Sequence, residues 1–374
     1  MEKGKSRAAC RAGCKGVRLI HIDRTRSRGA PLDGLRRLAI CLLFGIWAST
    51  SAAQGPETAR IADTRCLGSA PAILADRLGF FRNNGLDVRL TDMDSGKQAL
   101  GELRDERSDF AFIALTPVVI DRLADPTPAA ADDPVILASL VHSADLMHII
   151  ALPESGISSA SGLRGRRIGL NPGTSAEYAW WLFRLFHGLP DDVVEIVEGS
   201  NAELAEALID RRIGAAMLLE PWVSVVDADR AGRGQPPLTH LHLRHIYASS
   251  WVLVTRRDMV DSRPEHVRRV VAALRDAVEF IERAPARALW IYQDAIGESL
   301  PDLESRWNAH DFDLTLDWKI VSGLQQQFRW ALESGYRNQG EPLRVLDSID
   351  DRVLRRHWPA SVGIPEIIPT GALR

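Results

Sequence analysis

Apolar residues fall in two rhythms along this chain, and the rhythms take turns. Short runs that are apolar throughout or alternate read as strands: Ile61 to Leu67, Leu86 to Leu90, Asp109 to Leu115, Val135 to His142, Met147 to Leu152, Arg167 to Leu170, Val193 to Val197, Ala215 to Leu219, Thr239 to Tyr247 and Trp251 to Thr255. Between them lie stretches with helical spacing at Ala72 to Leu78, Ala99 to Arg107, Val118 to Leu123, Ala176 to Phe186 and Ala202 to Ile209. Strands alternating with helices predict an α/β fold. After Pro264 the pattern turns helical. Val267, Val270, Val271, Leu274, Val278 and Ile281 share one face, and Ser262-Arg263-Pro264-Glu265 is placed to cap that helix. Arg287 to Ile296 and Leu316 to Glu333 continue as helices. Phe80 to Gly85 and the Pro-rich Asp125 to Pro134 read as loops, and no internal repeat or coiled coil is present.

One stretch stands out for chemistry. Gly165 to Glu177 reads as a strand, an Asn171-Pro172-Gly173 turn, a Thr174 or Ser175 cap, and a helix. The spacing predicts a cup of free backbone N–H groups at a positive helix end, suited to an anionic or strongly polar small ligand. An ordinary capped helix would read the same way.

Composition changes this picture only at the start. The chain has 374 residues, 45% hydrophobic and 25% charged, enough for two domains of typical size. Its formal net charge of −3 hides a split. The first 37 residues carry eleven Lys or Arg against three acids, so the remainder is strongly acidic, which tells against nucleic acid as a partner. Arg36-Arg37, the apolar Leu38 to Trp47, and Ser51-Ala52-Ala53 read as a signal peptide cleaved after Ala53. The apolar run is too short to span a bilayer, so a soluble, exported mature protein is expected. Cys10, Cys14 and Cys41 lie in the leader. Cys66 alone remains after cleavage, which makes neither an intrachain disulfide nor a metal site.

Four segments in register resemble a known family. Leu74 to Val88 (LADRLGFFRNNGLDV), Gly96 to Phe112 (GKQALGELRDERSDFAF), Gly156 to Tyr178 (GISSASGLRGRRIGLNPGTSAEY) and Leu218 to Trp222 (LLEPW) look like type II solute-binding proteins of ABC importers, in the group for nitrate, sulfonates, taurine and thiamine-pyrimidine precursors. The resemblance runs from about Arg65 to about Val226, more weakly to Pro264. It implies two α/β lobes joined by two crossing segments: a lobe one of residues 54–150 and 250–374, and a lobe two of 151–249. It further implies a periplasmic, monomeric, non-enzymatic carrier without cofactor, which closes on a small-molecule ligand and hands it to an ABC permease and ATPase.

The same resemblance places the cleft at strand-end loops. Lobe one would contribute Ser69 and Ala70, Ser95 and Gln98, Thr116, and His142 before the crossing. Lobe two would contribute Gly173, Thr174, Ser175, Glu220 and Trp222. Hydroxyls and amides at Thr174 and Ser175 would meet an oxyanion. Gln98 offers both donor and acceptor, and His142 titrates near neutrality. Glu220 disfavours a bare anion; it either holds the crossing segments or meets a cationic group. Trp222 would stack on a ring or cover a cation. His240-x-His242-x-x-His245 is a metal-like string, but no carboxylate or Cys accompanies it and no metal is expected. No nucleophile elbow or Cys–base pair is evident. Two other functions remain open: an enzyme of thiamine-pyrimidine synthesis on the same fold, and a sensory module that passes its closed state to a membrane partner.

Overall fold

The computed structural model describes residues 55–124, 131–144, 146–297, 303–336 and 344–366, all within the unit Gly55–Arg374. The leader, its cleavage point after Ala53 and the three leader cysteines lie outside the described residues, as do residues 125–130 of the Pro-rich loop.

Eleven described strands form two sheets. The first has the order β11-β4-β10-β3-β1-β2. It is built from β1 (Glu57–Asp63), β2 (Leu86–Asp92), β3 (Phe110–Ala114), β4 (Pro134–Ser143), β10 (Ser249–Arg256) and β11 (His310–Thr315). β1 runs parallel to β2 and β3, while β10 lies antiparallel between β3 and β4. The second sheet, β7-β6-β8-β5-β9, uses β5 (Met147–Ala151), β6 (Arg167–Leu170), β7 (Glu195–Glu198), β8 (Ala215–Leu219) and β9 (Thr239–His242). The chain passes from first sheet to second between Ser143 and Met147, and returns between His242 and Ser249. β5 therefore pairs entirely within the second sheet.

Burial explains why these segments take these shapes. β3 and nearly all of β4 are inaccessible along their length, as strands covered on both faces must be. Helix α9 (Pro264–Arg283) buries Val267, Val270, Val271, Leu274, Val278 and Ile281, the face its spacing predicts. Its N-terminus differs from expectation. Arg263 holds the cap position with no side-chain bond, because Ser262 closes the preceding helix α8 (Arg257–Ser262) by donating its Oγ to the Asp258 carbonyl at 2.6 Å.

Other boundaries shift for local reasons. The first strand ends at Asp63, not Leu67: Arg65 takes a positive φ of 53°, and Leu67–Ser69 makes a 3-10 turn into helix α1 (Ala70–Arg77). Gly68 is required there, because a Cβ would stand 2.7 Å from the Trp251 ring. Phe80–Asn83 is a short helix, α2, rather than loop. The long strand expected at Thr239 to Tyr247 stops at His242, since the chain turns on an Ile246 N–H to Leu243 O bond of 2.8 Å. Strand β11 and helix α7 (Trp222–Gly232) are additions to the elements that the pattern predicts.

Candidate ligand cleft

Strand ends of the two sheets meet around a cavity of about 380 Å³. From the first sheet come Thr64 and Arg65 after β1, and Asp92, Met93 and Asp94 at the end of β2. The second supplies Glu220, Pro221 and Trp222 after β8, with Ala202 at the start of helix α6 (Asn201–Ile209). Tyr292 and Ile296 of helix α10 (Pro285–Ile296) complete the wall.

Polar bonds join the two sides around this space. Asp94 reaches the N-terminus of α6: its Oδ2 accepts from Asn201 N–H at 3.0 Å and its Oδ1 from Ala202 N–H at 3.1 Å. Asn201 Nδ2 returns a bond to the Asp94 carbonyl at 2.8 Å. Behind the cavity wall, Arg306 of helix α11 (Leu303–Trp307) donates to Glu220 Oε1 at 2.6 Å, and both side chains are largely shielded from water. Glu220 Oε2 also accepts from Ser224 N–H, which fixes the carboxylate over the first turn of α7. Lys97 donates to the Pro172 carbonyl at 3.4 Å, and Tyr336 donates to Glu177.

The cleft floor is acidic. Arg65 is tied to Asp92 at 3.0 Å and to the Ala295 carbonyl at 3.1 Å. Behind Thr64, Asp63 is buried, and burial pushes its carboxyl up to about 7 against the opposing bonds from the Ser69 hydroxyl and the Thr64 amide. Its Oδ2 has no partner. Cys66 is also buried, and loss of water raises its thiol to about 11, which keeps it protonated and a poor nucleophile.

Of the eleven residues expected from sequence, Glu220 and Trp222 line the cavity. Ser69 and Ala70 are fully buried, Ser69 spending its hydroxyl on Asp63. Ser95 caps helix α3 (Gly96–Arg104), accepting from Gln98 N–H, and Gln98 Oε1 accepts from Asp94 N–H. Gln98 thus braces the loop that carries Asp94. Thr116 is buried and donates to Gln327 Oε1 at 2.7 Å. His142 is held inside the first sheet by Ser250 at 2.8 Å and Ser139 at 3.3 Å, and burial lowers its pKa.

The predicted cup at Gly173, Thr174 and Ser175 exists as backbone, and one of its amides, that of Gly173, is taken within the chain. Gly173 has the expected positive φ of 75°, and Thr174 caps helix α5 (Ser175–Phe186) by accepting from Ala176 N–H. Gly173 N–H donates to Glu177 Oε2 at 2.8 Å, and Glu177 N–H to the Thr174 carbonyl. Ser175 is buried against Tyr247. The helix end faces the first lobe, and the Glu177 carboxylate occupies its Gly173 amide while accepting from Tyr336. Sequence reasoning missed Arg65, Asp92, Asp94, Tyr292 and Arg306. The acidic Asp92-Met93-Asp94 run at a strand end was a usable signal for two of them.

Two sheets joined by a double crossover, with a cavity where their strand ends meet, define the periplasmic-binding-protein fold of the two-lobe, type II kind. The chain belongs to the NMT1/THI5-like family, whose pattern matches residues 68–288. A protein of Brucella abortus strain 2308, named as a binding protein, is 21% identical over 59% of this chain and 66% of its own length. One from Bacillus subtilis strain 168, whose name assigns it to aliphatic sulfonates, is 22% identical over 60% and 66%. The chain thus spans just under two thirds of these relatives. Among solved structures, the alkanesulfonate-binding protein SsuA from Xanthomonas axonopodis pv. citri bound to MOPS superposes with a TM-score of 0.62 at 17% identity, covering 76% of this chain and 95% of that one. The desulfurization enzyme DSZB does so at 0.57 and 18%, covering 80% and 98%. The fold thus hosts both binding proteins and an enzyme.

Proposed function

We propose that this chain is the exported solute-binding component of an ABC importer, holding a small polar solute such as a sulfonate, nitrate, taurine or a related compound between its lobes. The observation that carries this is the cavity at the strand ends, walled by both sheets and bridged by Asp94–Asn201 and Arg306–Glu220. Bonds of that kind hold a hinged pair of lobes closed, which is the state an importer reads. Trp222 supplies an apolar face for the solute, and Arg65, Asp92, Asp94 and Glu220 supply orientation.

Binding without catalysis fits the chemistry present. Cys66 is buried and its thiol protonated, which makes it a poor nucleophile. Among the described residues no helix is long and apolar enough to cross a membrane, which suits a carrier released on the far side of it. The relatives named for sulfonates place that class first among the solutes to test.

The test is thermal and denaturant stability of the purified protein with each of methanesulfonate, taurine, nitrate and aminopyrimidines. A true solute at a hundredfold excess over its Kd adds about 2.7 kcal/mol. No stabilisation by any of them would remove this range of solutes.

A further inference from the structure

Three histidines that the cleft does not use stand together on the outer strand pair of the second sheet. Pairing of β5 with β9 sets His148 opposite His242 and Ile150 opposite His240, so all three imidazoles share one face. His148 Nδ1 lies 3.1 Å from His240 Nδ1. The ring centroids are 4.9 Å apart for His148 and His242, 5.3 Å for His148 and His240, and 5.9 Å for His240 and His242.

From this geometry we propose a divalent transition-metal site, of the zinc, nickel or copper class, made by His148, His240 and His242. A metal bound at about 2.0–2.1 Å lies about 3.2 Å from the centroid of each imidazole, so three rings on tetrahedral corners have centroids about 5.2 Å and donor nitrogens about 3.3 Å apart. The three centroid distances bracket that value, and the His148–His240 nitrogen pair is close to it. As the rings stand, no three described His, Cys, Asp or Glu side chains are arranged to hold a metal ion. A half turn of the His242 ring about Cβ–Cγ would exchange its Nδ1 with Cδ2 while leaving its centroid in place and the His148–His240 nitrogen pair untouched.

The surroundings suit this use. The rings line a cavity of about 480 Å³ together with Asp227, Arg244 and the Glu220–Arg306 pair. Asp227 shares this cavity, and its Oδ1 accepts from the Leu238 N–H at 3.3 Å. Imidazole donors favour zinc, copper and nickel over magnesium or calcium. His245, the third histidine of the sequence string, lies beyond the end of β9, and His148 from the neighbouring strand takes its place.

The experiment is calorimetric titration of Zn²⁺ into the full chain, prepared without a polyhistidine tag, at pH 7.5. One ion per chain is expected, with affinity falling on the order of a hundredfold in His148→Ala and in His242→Gln. His187→Ala, distant on the chain and exposed, should bind as the parent does. Co²⁺ in place of Zn²⁺ should give the strong visible absorption of a tetrahedral site, lost in the same two variants. His242→Gln sits at an exposed position and keeps the result readable if His148→Ala folds poorly. Absence of saturable one-to-one binding, or unchanged affinity in His242→Gln, overturns the proposal.

Discussion

Asp94 and Asn201 hold each other by two bonds across the lobes: the Asn201 amide donates to the Asp94 carboxylate, and the Asn201 side chain donates to the Asp94 carbonyl. A first-lobe carboxylate therefore sits at a second-lobe helix N-terminus, the position an oxyanion would favour.

Replacing Asp94 by Ala should loosen the closed arrangement. The helix start loses a charged acceptor, at a cost of about 1–2 kcal/mol. Small-angle scattering of the solute-free protein should show a larger radius of gyration for Asp94→Ala than for the parent, and a smaller change for Asp94→Asn, which keeps an acceptor oxygen.

Arg306→Ala strands Glu220, a carboxylate only 8% exposed. Leaving a buried charge unpaired costs about 3 kcal/mol or more. Combining Arg306→Met with Glu220→Gln removes both charges and should recover most of that loss. Urea midpoints of the single and double variants give the comparison.

Asp63 should impose a pH slope on stability. Its folded pKa of about 7 lies above the reference 3.8, so between those values the folded state binds more protons than the unfolded one. Stability from this group is fully present below about pH 4 and is lost as pH rises toward 7. Asp63→Asn removes the slope, so the parent should lose stability relative to the variant between pH 4.5 and 7.5. Equal slopes in urea titrations would count against a neutral Asp63.

Two glycines should respond in opposite directions. Gly68→Ala forces a methyl against the Trp251 ring and should cost about 1–3 kcal/mol. Gly101, inside α3 with no atom within 4 Å of where a Cβ would stand, should gain roughly 0.5–1 kcal/mol as Ala. Melting temperatures of the two variants should therefore move apart.

Much of the architecture was legible because its signals are local. The α9 stripe, the Thr174 cap and the Gly173 turn each follow from a few neighbouring residues, and the structure has all three. The site was less legible because its bonds are long-range. Asp94 meets Asn201 across 107 positions, and Arg306 meets Glu220 across 86. No periodicity encodes such pairs. The amide cup illustrates the limit: its backbone was readable, but Glu177 folding back onto Gly173 was not. β11 did carry a local signal that went unread, since His310, Phe312 and Leu314 alternate with Asp311 and Asp313 in ordinary strand fashion.

The placement of β10 has a consequence for how the chain comes together as it is made. This strand lies between β3 and β4, yet it is encoded after every strand of the second sheet. The strands of the second lobe form one uninterrupted block from Met147 to His242 and can pair as soon as that block has emerged. Until Ser249–Arg256 arrives, β3 and β4 have a gap between them, each with a bare apolar edge. The lobe that begins later is thus the first able to finish, and the first sheet stays half-built until β10 arrives.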